Sequence, residues 1–296
     1  MERGYRGRFA PSPTGRLHFG SLVAAVAGYL DARAADGVWL LRIENIDPPR
    51  EVPGSTDAIL SALEAFGFQW DGEIVFQGDR FERYREVAES LLNRRLAYPC
   101  GCSRKEIAAI AKHGHEGFIY PGTCRNGLPA DRKGRSLRLR TDDTPVDFDD
   151  RIQARIEQRL ESEIGDYVIR RADGYYAYQL GVVIDDNDQG ITHVVRGCDL
   201  LHSTTRQIHL QQLLGYQTPS YAHFPVVLDE AGNKLSKQDN AHPVDTNNPF
   251  PALEMALSFL NQPLPQNPLS LEEWWQWAIA HWDIELIPKS EAIRFP

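Results

Sequence analysis

The chain has 296 residues, of which 42% are hydrophobic and 25% are charged, and its formal net charge is −9. This length and hydrophobic content allow a sizeable core, so we expect one large domain with insertions or two smaller ones. The acidic excess argues against a protein that binds nucleic acid over its whole surface, because such proteins carry a basic excess. Any contact with RNA must therefore be local.

The sequence has no run of about 18 apolar residues, and its first residues lack the apolar segment of a signal peptide. We therefore expect a cytoplasmic protein that does not contact membranes. Four cysteines are too few for a disulfide scaffold in a chain of this length. Two of them, Cys100 and Cys102, are separated by one residue, which favours metal binding.

The first part of the chain predicts a strand, a helix and a second strand. A strand at 7–10 runs into a turn rich in proline and glycine, and residues 21–35 carry apolar side chains at helical spacing. Ser21 suits the N-cap of this helix. The continuous apolar run at 38–43 is typical of a strand buried between helices. These segments predict a βαβ unit.

The later elements continue this alternation. We expect helices at 56–66, 80–95, 204–215, 252–261 and 271–282, and strands at 176–184, 191–196 and 225–228. Such alternation favours an α/β fold with a doubly wound parallel sheet. We divide the chain into a first half of the α/β domain (1–99), an insertion (100–165), the second half (166–238) and a small helical C-terminal region (239–296).

Four tryptophans lie close together near the end of the chain: Trp274, Trp275, Trp277 and Trp282. Exposed rings of this kind could stack on RNA bases. Their spacing matches one or two faces of a helix, so we predict instead that they pack against the core.

Two segments far apart in sequence predict the chemistry. Residues 11–21 place His18 and Gly20 on a strand-to-helix turn, where backbone N–H groups and the helix dipole favour a bound phosphate. Residues 234–238 add Lys234 and Lys237 on a loop. Alone, the first could be a capped turn and the second a solvated basic loop. Together they favour attack of a carboxylate on the α-phosphate of a nucleoside triphosphate.

These segments resemble the HIGH and KMSKS signatures of the class I aminoacyl-tRNA synthetases, and the wider sequence is similar to the glutamyl branch of that family. Residues 18–21 match HIGH with Ser21 in place of its second histidine, and residues 234–238 match KMSKS. Further matches lie at 8–12, 41–44 and 190–197. The resemblance covers about residues 6–240 and implies a Rossmann-type catalytic domain.

The resemblance implies that ATP, with Mg²⁺, activates glutamate as its adenylate. It gives catalytic roles to His18, Lys234 and Lys237, and ATP contacts to His18, Gly20, Ser21 and Lys237. It also implies a glutamate site formed by Arg8, Phe9, Ala10, Pro11, Ser12, Glu44, Tyr178 and Arg196. Glu44 can accept a hydrogen bond from the ammonium group of the substrate. Arg8 and Arg196 can pair with the side-chain carboxylate of the substrate.

The charged residues of this site have simpler structural alternatives. Glu44 could form a salt bridge with Arg42 or Arg50. Arg196 could pair with an acidic residue close to it in the sequence. The candidates are Asp185, Asp186 and Asp199.

Three cysteines of the predicted insertion suggest a zinc site: Cys100, Cys102 and Cys124. They could also be reduced, buried thiols. The candidates for a fourth ligand are His113, His115 and Tyr120, and the resemblance to shortened glutamyl enzymes favours Tyr120. Cys198 is most simply a small core residue.

Residues 239–296 are too few for the anticodon-binding region of a full-length glutamyl enzyme. The chain therefore resembles the shortened members of the branch, whose Asp-Pro-Pro-Arg-Glu sequence it shares at 47–51. That resemblance implies transfer of activated glutamate to queuosine, the modified wobble base of tRNA(Asp). We expect a monomer.

Two other functions stay open at this point. One is a truncated glutamyl-tRNA synthetase that charges the 3′ end of tRNA, and the other is a non-catalytic tRNA-binding or regulatory module. A nucleotidyltransferase shares both signatures, but it would not explain a glutamate pocket. Local basic clusters could contact RNA or could be solvated surface, and they lie at 94–95, 104–105, 132–140 and 170–171.

Overall fold

The computed structural model describes residues 4–114, 116–130, 132–229, 232, 234, 242–267 and 269–295. Its first elements are strand β1 (Arg6–Phe9), helix α1 (Phe19–Ala34) and strand β2 (Val38–Ile43). The predicted βαβ unit is confirmed, because β1 and β2 pair in parallel. The helix α1 begins earlier than predicted, since His18 is its N-cap and accepts from the Ser21 backbone N–H at 3.4 Å.

The further helices in the described part of the chain are α2 (Ser55–Ala65), α3 (Phe81–Asn93), α4 (Arg104–Ile110), α5 (Leu160–Glu163), α6 (Tyr178–Asp188), α7 (Ser203–Leu214), α8 (Pro249–Phe259) and α9 (Leu271–Ala280). The further strands are β3 (Val75–Phe76), β4 (Ala97–Cys100), β5 (His113–Gly114), β6 (Gly117–Phe118), β7 (Ser136–Leu139), β8 (Pro145–Asp150), β9 (Ala154–Arg159), β10 (Val168–Arg170), β11 (His193–Gly197), β12 (Ser220–Phe224), β13 (Val226–Leu228) and β14 (Ala292–Arg294). None of these helices combines the length and apolar character that a membrane span requires.

Two groups of parallel strands meet at β1 and β11. Strands β1, β2 and β3 form one group, and β11, β12 and β8 form the other, with β9 antiparallel at its edge. The Thr192 N–H donates to the Arg6 carbonyl at 2.9 Å, and the Arg6 N–H donates to Thr192 Oγ1 at 2.8 Å. The strand order reverses at this junction, as in doubly wound α/β sheets, which bind ligands at such a point.

The strand predicted at 176–184 is wrong, because most of this segment belongs to helix α6. Seven consecutive residues of α6, Leu180 to Asp186, are buried. The helix is therefore covered on all sides and lacks the polar face that gives a helix its sequence period. A short apolar run of this kind cannot be distinguished from a buried strand by pattern alone.

The segment that we predicted as an insertion contains ordered elements. Ser103 and Glu106 form a capping box that starts α4, and β5 and β6 form a hairpin. Strand β4 pairs with β7, and β7 pairs with β10, both antiparallel. This small sheet carries Cys100 at the end of β4, so it positions the first of the clustered cysteines.

The tryptophans of α9 pack against the core, as predicted. Trp274 and Trp275 are buried, and Trp275 Nε1 donates to the Phe66 carbonyl at 2.9 Å. The ring of Trp275 also meets Tyr29 of α1, with ring centroids 4.8 Å apart. The C-terminal region is therefore fastened to the first helix of the α/β domain.

Replacing Trp275 by Ala should lower the free energy of unfolding by about 3–5 kcal/mol, because it removes a large buried ring and leaves a cavity. Trp277→Ala is the matched control, since Trp277 is only partly buried and stacks on His281. Its loss of stability should be clearly smaller. Urea unfolding followed by circular dichroism measures both, and equal losses would contradict the packing role of Trp275.

Candidate active site

A pocket of about 480 Å³ lies where the carboxyl ends of β1 and β11 meet. The predicted site residues that line it are Arg8, Phe9, Ala10, Pro11, Ser12, His18, Gly20, Ser21, Glu44, Tyr178, Arg196 and Lys234. Lys237 lies outside the described residues. The fold therefore brings the first signature and Lys234 of the second to one pocket.

One side of the pocket is suited to phosphate groups. His18, Gly20 and Ser21 place the N-terminus of α1 against the pocket, and Ser21 Oγ lies 2.9 Å from His18 Nε2. The positive end of the helix dipole at this position favours an anion. Lys234 Nζ donates to Asp199 Oδ2 at 2.7 Å, and both residues line the same pocket. A bound phosphate would thus meet a helix terminus and a lysine.

Glu44 supplies a buried carboxylate directly after β2. Its Oε1 accepts no hydrogen bond from any residue that the structure describes. Arg42 approaches it at 3.7 Å but donates to Asp186 and Gln189 at 2.6 Å each. Burial raises the pKa of Glu44 to about 7, against the opposing charges of Arg42 and Arg8. A cation that enters the pocket would therefore meet an acceptor oxygen and would favour the ionised form of Glu44.

Of the two alternatives for Glu44, the structure contains a long ion pair with Arg42 but none with Arg50 among the described residues. The contact with Arg42 is a long one, and Arg50 pairs with Asp47. Arg8 donates to Asp186 through Nε and Nη2, at 3.1 and 3.4 Å. Burial opposes ionisation of Asp186, but the charges of Arg8 and Arg42 hold its pKa below the usual value. Arg8 therefore already has a carboxylate partner, which it shares with Arg42.

Arg196 has a different environment from Arg8. Its Nε donates to His223 Nε2 at 2.9 Å, and its Nη2 donates to Thr204 Oγ1 at 2.8 Å and Gln207 Oε1 at 2.9 Å. Its Nη1 has a weaker partner, Tyr178 Oη at 3.4 Å. All four partners are neutral groups at neutral pH.

The acidic residues that we considered as partners of Arg196 form ion pairs with other basic residues. Asp185 pairs with Arg80, Asp186 with Arg8 and Arg42, and Asp199 with Lys234. In the described part of the chain, no carboxylate oxygen lies within 4.0 Å of the Arg196 guanidinium. The alternative interpretation of Arg196 as half of an internal salt bridge is therefore wrong.

Several residues that shape the site were not predicted. Asp186 compensates Arg8, while Thr204, Gln207 and His223 hold Arg196. The adjacent Asp185 and Asp186 within an apolar segment were a usable signal, because buried carboxylates are normally paired. His223 gave no comparable signal, since it belongs to β12, a strand that we did not predict.

The three clustered cysteines come together on the insertion. The sulfur atoms of Cys100, Cys102 and Cys124 all lie within 4.8 Å of one another. Tyr120 Oη is 3.3 Å from Cys100 Sγ and 3.7 Å from Cys102 Sγ, and it accepts the Cys124 N–H at 3.0 Å. Three thiols and a phenol converging in this way form a donor set that fits zinc.

The other candidate ligands do not join this cluster. His113 is exposed, and its Nδ1 lies 3.0 Å from the carbonyl of Gly114. His115 lies outside the described residues. Cys198 is buried and donates towards the His223 carbonyl, which agrees with its prediction as a core residue.

Arg138 adds positive charge beside the cysteines. Its guanidinium lies 3.8 Å from the ring centroid of Tyr120, and its Nε donates to Cys100 Sγ at 3.4 Å. Burial opposes ionisation of Cys100, but hydrogen bonds from Tyr120, the Cys102 backbone and Arg138 lower its pKa to about 7. A thiolate, the form that binds metals, is therefore accessible at neutral pH.

Comparison with known proteins agrees with this geometry. Residues 5–249 match the model of the catalytic domain of class I tRNA synthetases (E and Q). This chain belongs to that family. It is 52% identical to the Glutamyl-Q tRNA(Asp) synthetase of Dechloromonas aromatica, over the full length of both chains. It is also 52% identical to the protein of that name from Chromobacterium violaceum, over 96% of this chain and 95% of the other.

A solved structure shows the same fold. A glutamate tRNA ligase from Elizabethkingia meningosepticum, in complex with its amino acid, superposes with a TM-score of 0.80 at 27% identity. The alignment covers 99% of this chain and 67% of the ligase. The ligase therefore has a further region that the aligned part does not include.

Glu44→Gln should stabilise the protein at pH 8 but have little effect at pH 4.5. Between pH 4.5 and about 7 the folded chain keeps the Glu44 proton that the unfolded chain has lost. The stability contributed by this group is thus present below pH 4.5 and is lost as the pH rises to about 7.

We expect a gain on the order of 1–3 kcal/mol at pH 8 for Glu44→Gln. Urea unfolding at the two pH values measures it. Glu64→Gln, which changes an exposed carboxylate of α2, serves as the control and should show no such pH dependence. A difference between Glu44→Gln and the unaltered protein that stays constant with pH would contradict the raised pKa.

Proposed function

We propose that this protein uses ATP to activate glutamate and transfers the glutamyl group to queuosine in tRNA(Asp). The observation that carries the proposal is the pair of opposite charges in one pocket. Glu44 has an oxygen without a hydrogen-bond donor, and Arg196 has no carboxylate partner, among the described residues. Glutamate carries the two complementary charges, an ammonium and a side-chain carboxylate.

In this proposal Glu44 accepts from the substrate ammonium. The side-chain carboxylate lies against Arg196 Nη1 and the hydroxyl of Tyr178, which are each other's weak partners at 3.4 Å. Arg8 adds positive potential, which its ion pair with Asp186 reduces. The walls of the site are formed by Phe9, Ala10, Pro11 and Ser12. Glutamine would leave the buried charge of Arg196 unpaired, so it should be rejected strongly.

The α-carboxylate of glutamate then attacks the α-phosphorus of ATP, and the bond to pyrophosphate breaks. His18, the N-terminus of α1, Lys234 and Lys237 stabilise the negative charge that develops on the phosphate oxygens. Mg²⁺ bound with ATP would supply further positive charge there. A hydroxyl of queuosine next attacks the glutamyl carbonyl, loses its proton and displaces AMP. Each step therefore consists mainly of positioning and charge neutralisation.

The acceptor is chosen on two grounds. Residues 100–135 contain seven Lys and Arg but three Asp and Glu, although the whole chain carries a net charge of −9. A local basic surface of this kind fits an RNA backbone. Relatives that match over their whole length are named Glutamyl-Q tRNA(Asp) synthetase. We therefore propose that the basic part of the insertion, residues 100–135, faces the anticodon loop, where unstacked bases are accessible.

We also propose that Cys100, Cys102, Tyr120 and Cys124 hold a zinc ion. The convergence of Tyr120 Oη on two of the sulfurs, at 3.3 and 3.7 Å, supports the tyrosine as the fourth ligand. Burial raises the pKa of Tyr120, so a phenolate at this position requires a cation. Such a site would fix the end of β4 against the loop that carries Cys124 and keep the basic surface in place.

The acceptor is tested with tRNA(Asp) isolated with and without queuosine, incubated with ATP and labelled glutamate. We expect label only on the form that contains queuosine, and none on tRNA(Glu). Labelled glutamine is the matched control, and it should give no product because it cannot neutralise Arg196. Glutamate recovered on the terminal adenosine, or equal labelling of both tRNA(Asp) forms, would support a truncated glutamyl-tRNA synthetase instead.

The zinc site is tested by metal analysis of the purified protein. We expect about one zinc per chain, lost in Cys102→Ser but kept in Cys198→Ser, which changes a buried cysteine outside the cluster. Tyr120→Phe should weaken zinc retention against a chelator. If Tyr120→Phe binds zinc as tightly as the unaltered protein does, Tyr120 is not a ligand. A stable protein without metal would refute the site altogether.

A further inference from the structure

A buried chain of hydrogen bonds connects Arg196 to an acidic residue on a more distant strand. Arg196 Nε donates to His223 Nε2 at 2.9 Å, and His223 Nδ1 lies 2.6 Å from Asp150 Oδ2. Arg196, His223 and Asp150 come from β11, β12 and β8, which are neighbours in the sheet. All three side chains are buried. Nothing in the proposed reaction uses His223 or Asp150 directly.

Backbone N–H groups around Asp150 determine which of its two oxygens faces His223. Its Oδ1 accepts from the N–H groups of Ile152, Gln153 and His223, at 3.0, 2.9 and 3.1 Å. Its Oδ2 therefore faces the ring of His223. A carboxylate oxygen can only accept, so His223 must carry its proton on Nδ1. The lone pair of Nε2 is then directed to Arg196.

The same pattern of neutral acceptors continues around the guanidinium. Thr204 Oγ1 and Gln207 Oε1 accept from Nη2, and Gln207 is oriented by its own donation to Gln179 Oε1 at 2.8 Å. Burial lowers the pKa of His223 to about 4, against the opposing effect of Asp150. The ring is therefore neutral at physiological pH, in agreement with the hydrogen bonds.

These contacts orient Arg196 without offsetting its charge, whereas a salt bridge would do both. A carboxylate in direct contact would orient Arg196 and would also offset part of its charge, as Asp186 does for Arg8 and Arg42. The imidazole of His223 orients the guanidinium but keeps the negative charge of Asp150 one side chain away. The full charge of Arg196 thus stays available for a ligand.

We propose that His223 and Asp150 are positioning residues that orient Arg196 through a fixed imidazole tautomer and so determine the preference for an acidic amino acid. This inference rests on the proposed function, because it assigns the substrate carboxylate to Arg196. It adds two residues that never touch the substrate. The selectivity for glutamate over glutamine then depends on which nitrogen of His223 carries the proton.

The decisive variant is Asp150→Asn, which preserves shape. Three backbone N–H groups bind Oδ1, so the amide oxygen must take that position and the NH₂ group must face His223. The proton of the ring is then forced to Nε2, where it opposes the N–H of Arg196 Nε. In other enzymes that depend on a carboxylate–histidine pair, an Asp→Asn substitution keeps the shape but selects the wrong histidine tautomer, and it strongly impairs activity.

For Asp150→Asn we expect the KM for glutamate in ATP–pyrophosphate exchange to rise roughly 10- to 100-fold, with the KM for ATP unchanged. The ratio of activity with glutamate to activity with glutamine should fall. Nitrogen NMR of ¹⁵N-labelled histidine should show the proton of His223 moving from Nδ1 to Nε2. A normal KM for glutamate in a variant whose tautomer has moved would overturn the proposal.

A second pair of variants decides the matter if Asp150→Asn does not fold. His223→Gln can present an amide oxygen to Arg196, whereas His223→Leu cannot, so the first should bind glutamate at least about tenfold better. His209→Leu is the matched control, because His209 is also buried and bonded to a tyrosine outside the pocket. Equal KM values for glutamate in both His223 variants would overturn the proposal.

The outcomes for the two proposals can be told apart. If the unaltered protein shows no exchange with glutamate, the proposed function fails. If it exchanges normally while the Asp150 and His223 variants behave like His209→Leu, the proposed function stands and the positioning role is refuted.

Discussion

The buried contact of Asp186 with Arg8 and Arg42 is the constraint on which the site depends. It joins α6 to β1 and β2, and Arg42 is fully buried in it. Removing the carboxylate would leave two guanidinium groups uncompensated away from water, which costs more free energy than the pair contributes when intact. Because Asp186 takes both arginines, the neighbouring Glu44 keeps an oxygen without a donor. One internal ion pair thus determines which charges remain for a ligand.

The two arginines of the pocket, Arg8 and Arg196, have different partners. Arg8 is matched by a carboxylate inside the protein, and Arg196 is held by uncharged acceptors. In sequence the two are equivalent candidates for binding the substrate, and nothing in their spacing separates them. Their different environments follow from their neighbours in the sheet and on α6 and α7, which only the fold brings together.

The local features of the site could be predicted from the sequence, because a turn followed by a periodic helix shows its spacing directly. The βαβ unit belongs to this class. The approach of residues 8–21 to Lys234 is a contact between distant segments, and the family resemblance suggested it. Helix α6 could not be predicted, because its buried surroundings remove the helical period. His223 also escaped prediction, since its role depends on pairing between strands that are far apart in the chain. The convergence of Tyr120 on the cysteines was suggested by family resemblance, and the geometry agrees with it.

The junction between β1 and β11 has a mechanical consequence. Among the described residues no continuous ladder joins these strands, and the connection runs through the hydrogen bonds of Arg6 and Thr192. Glu44 belongs to one half of the sheet and Arg196 to the other. An amino acid that binds both residues therefore links the two halves of the sheet, and its binding free energy adds to the stability of the folded protein. The distance between the two halves then limits the length of a ligand that contacts both Glu44 and Arg196.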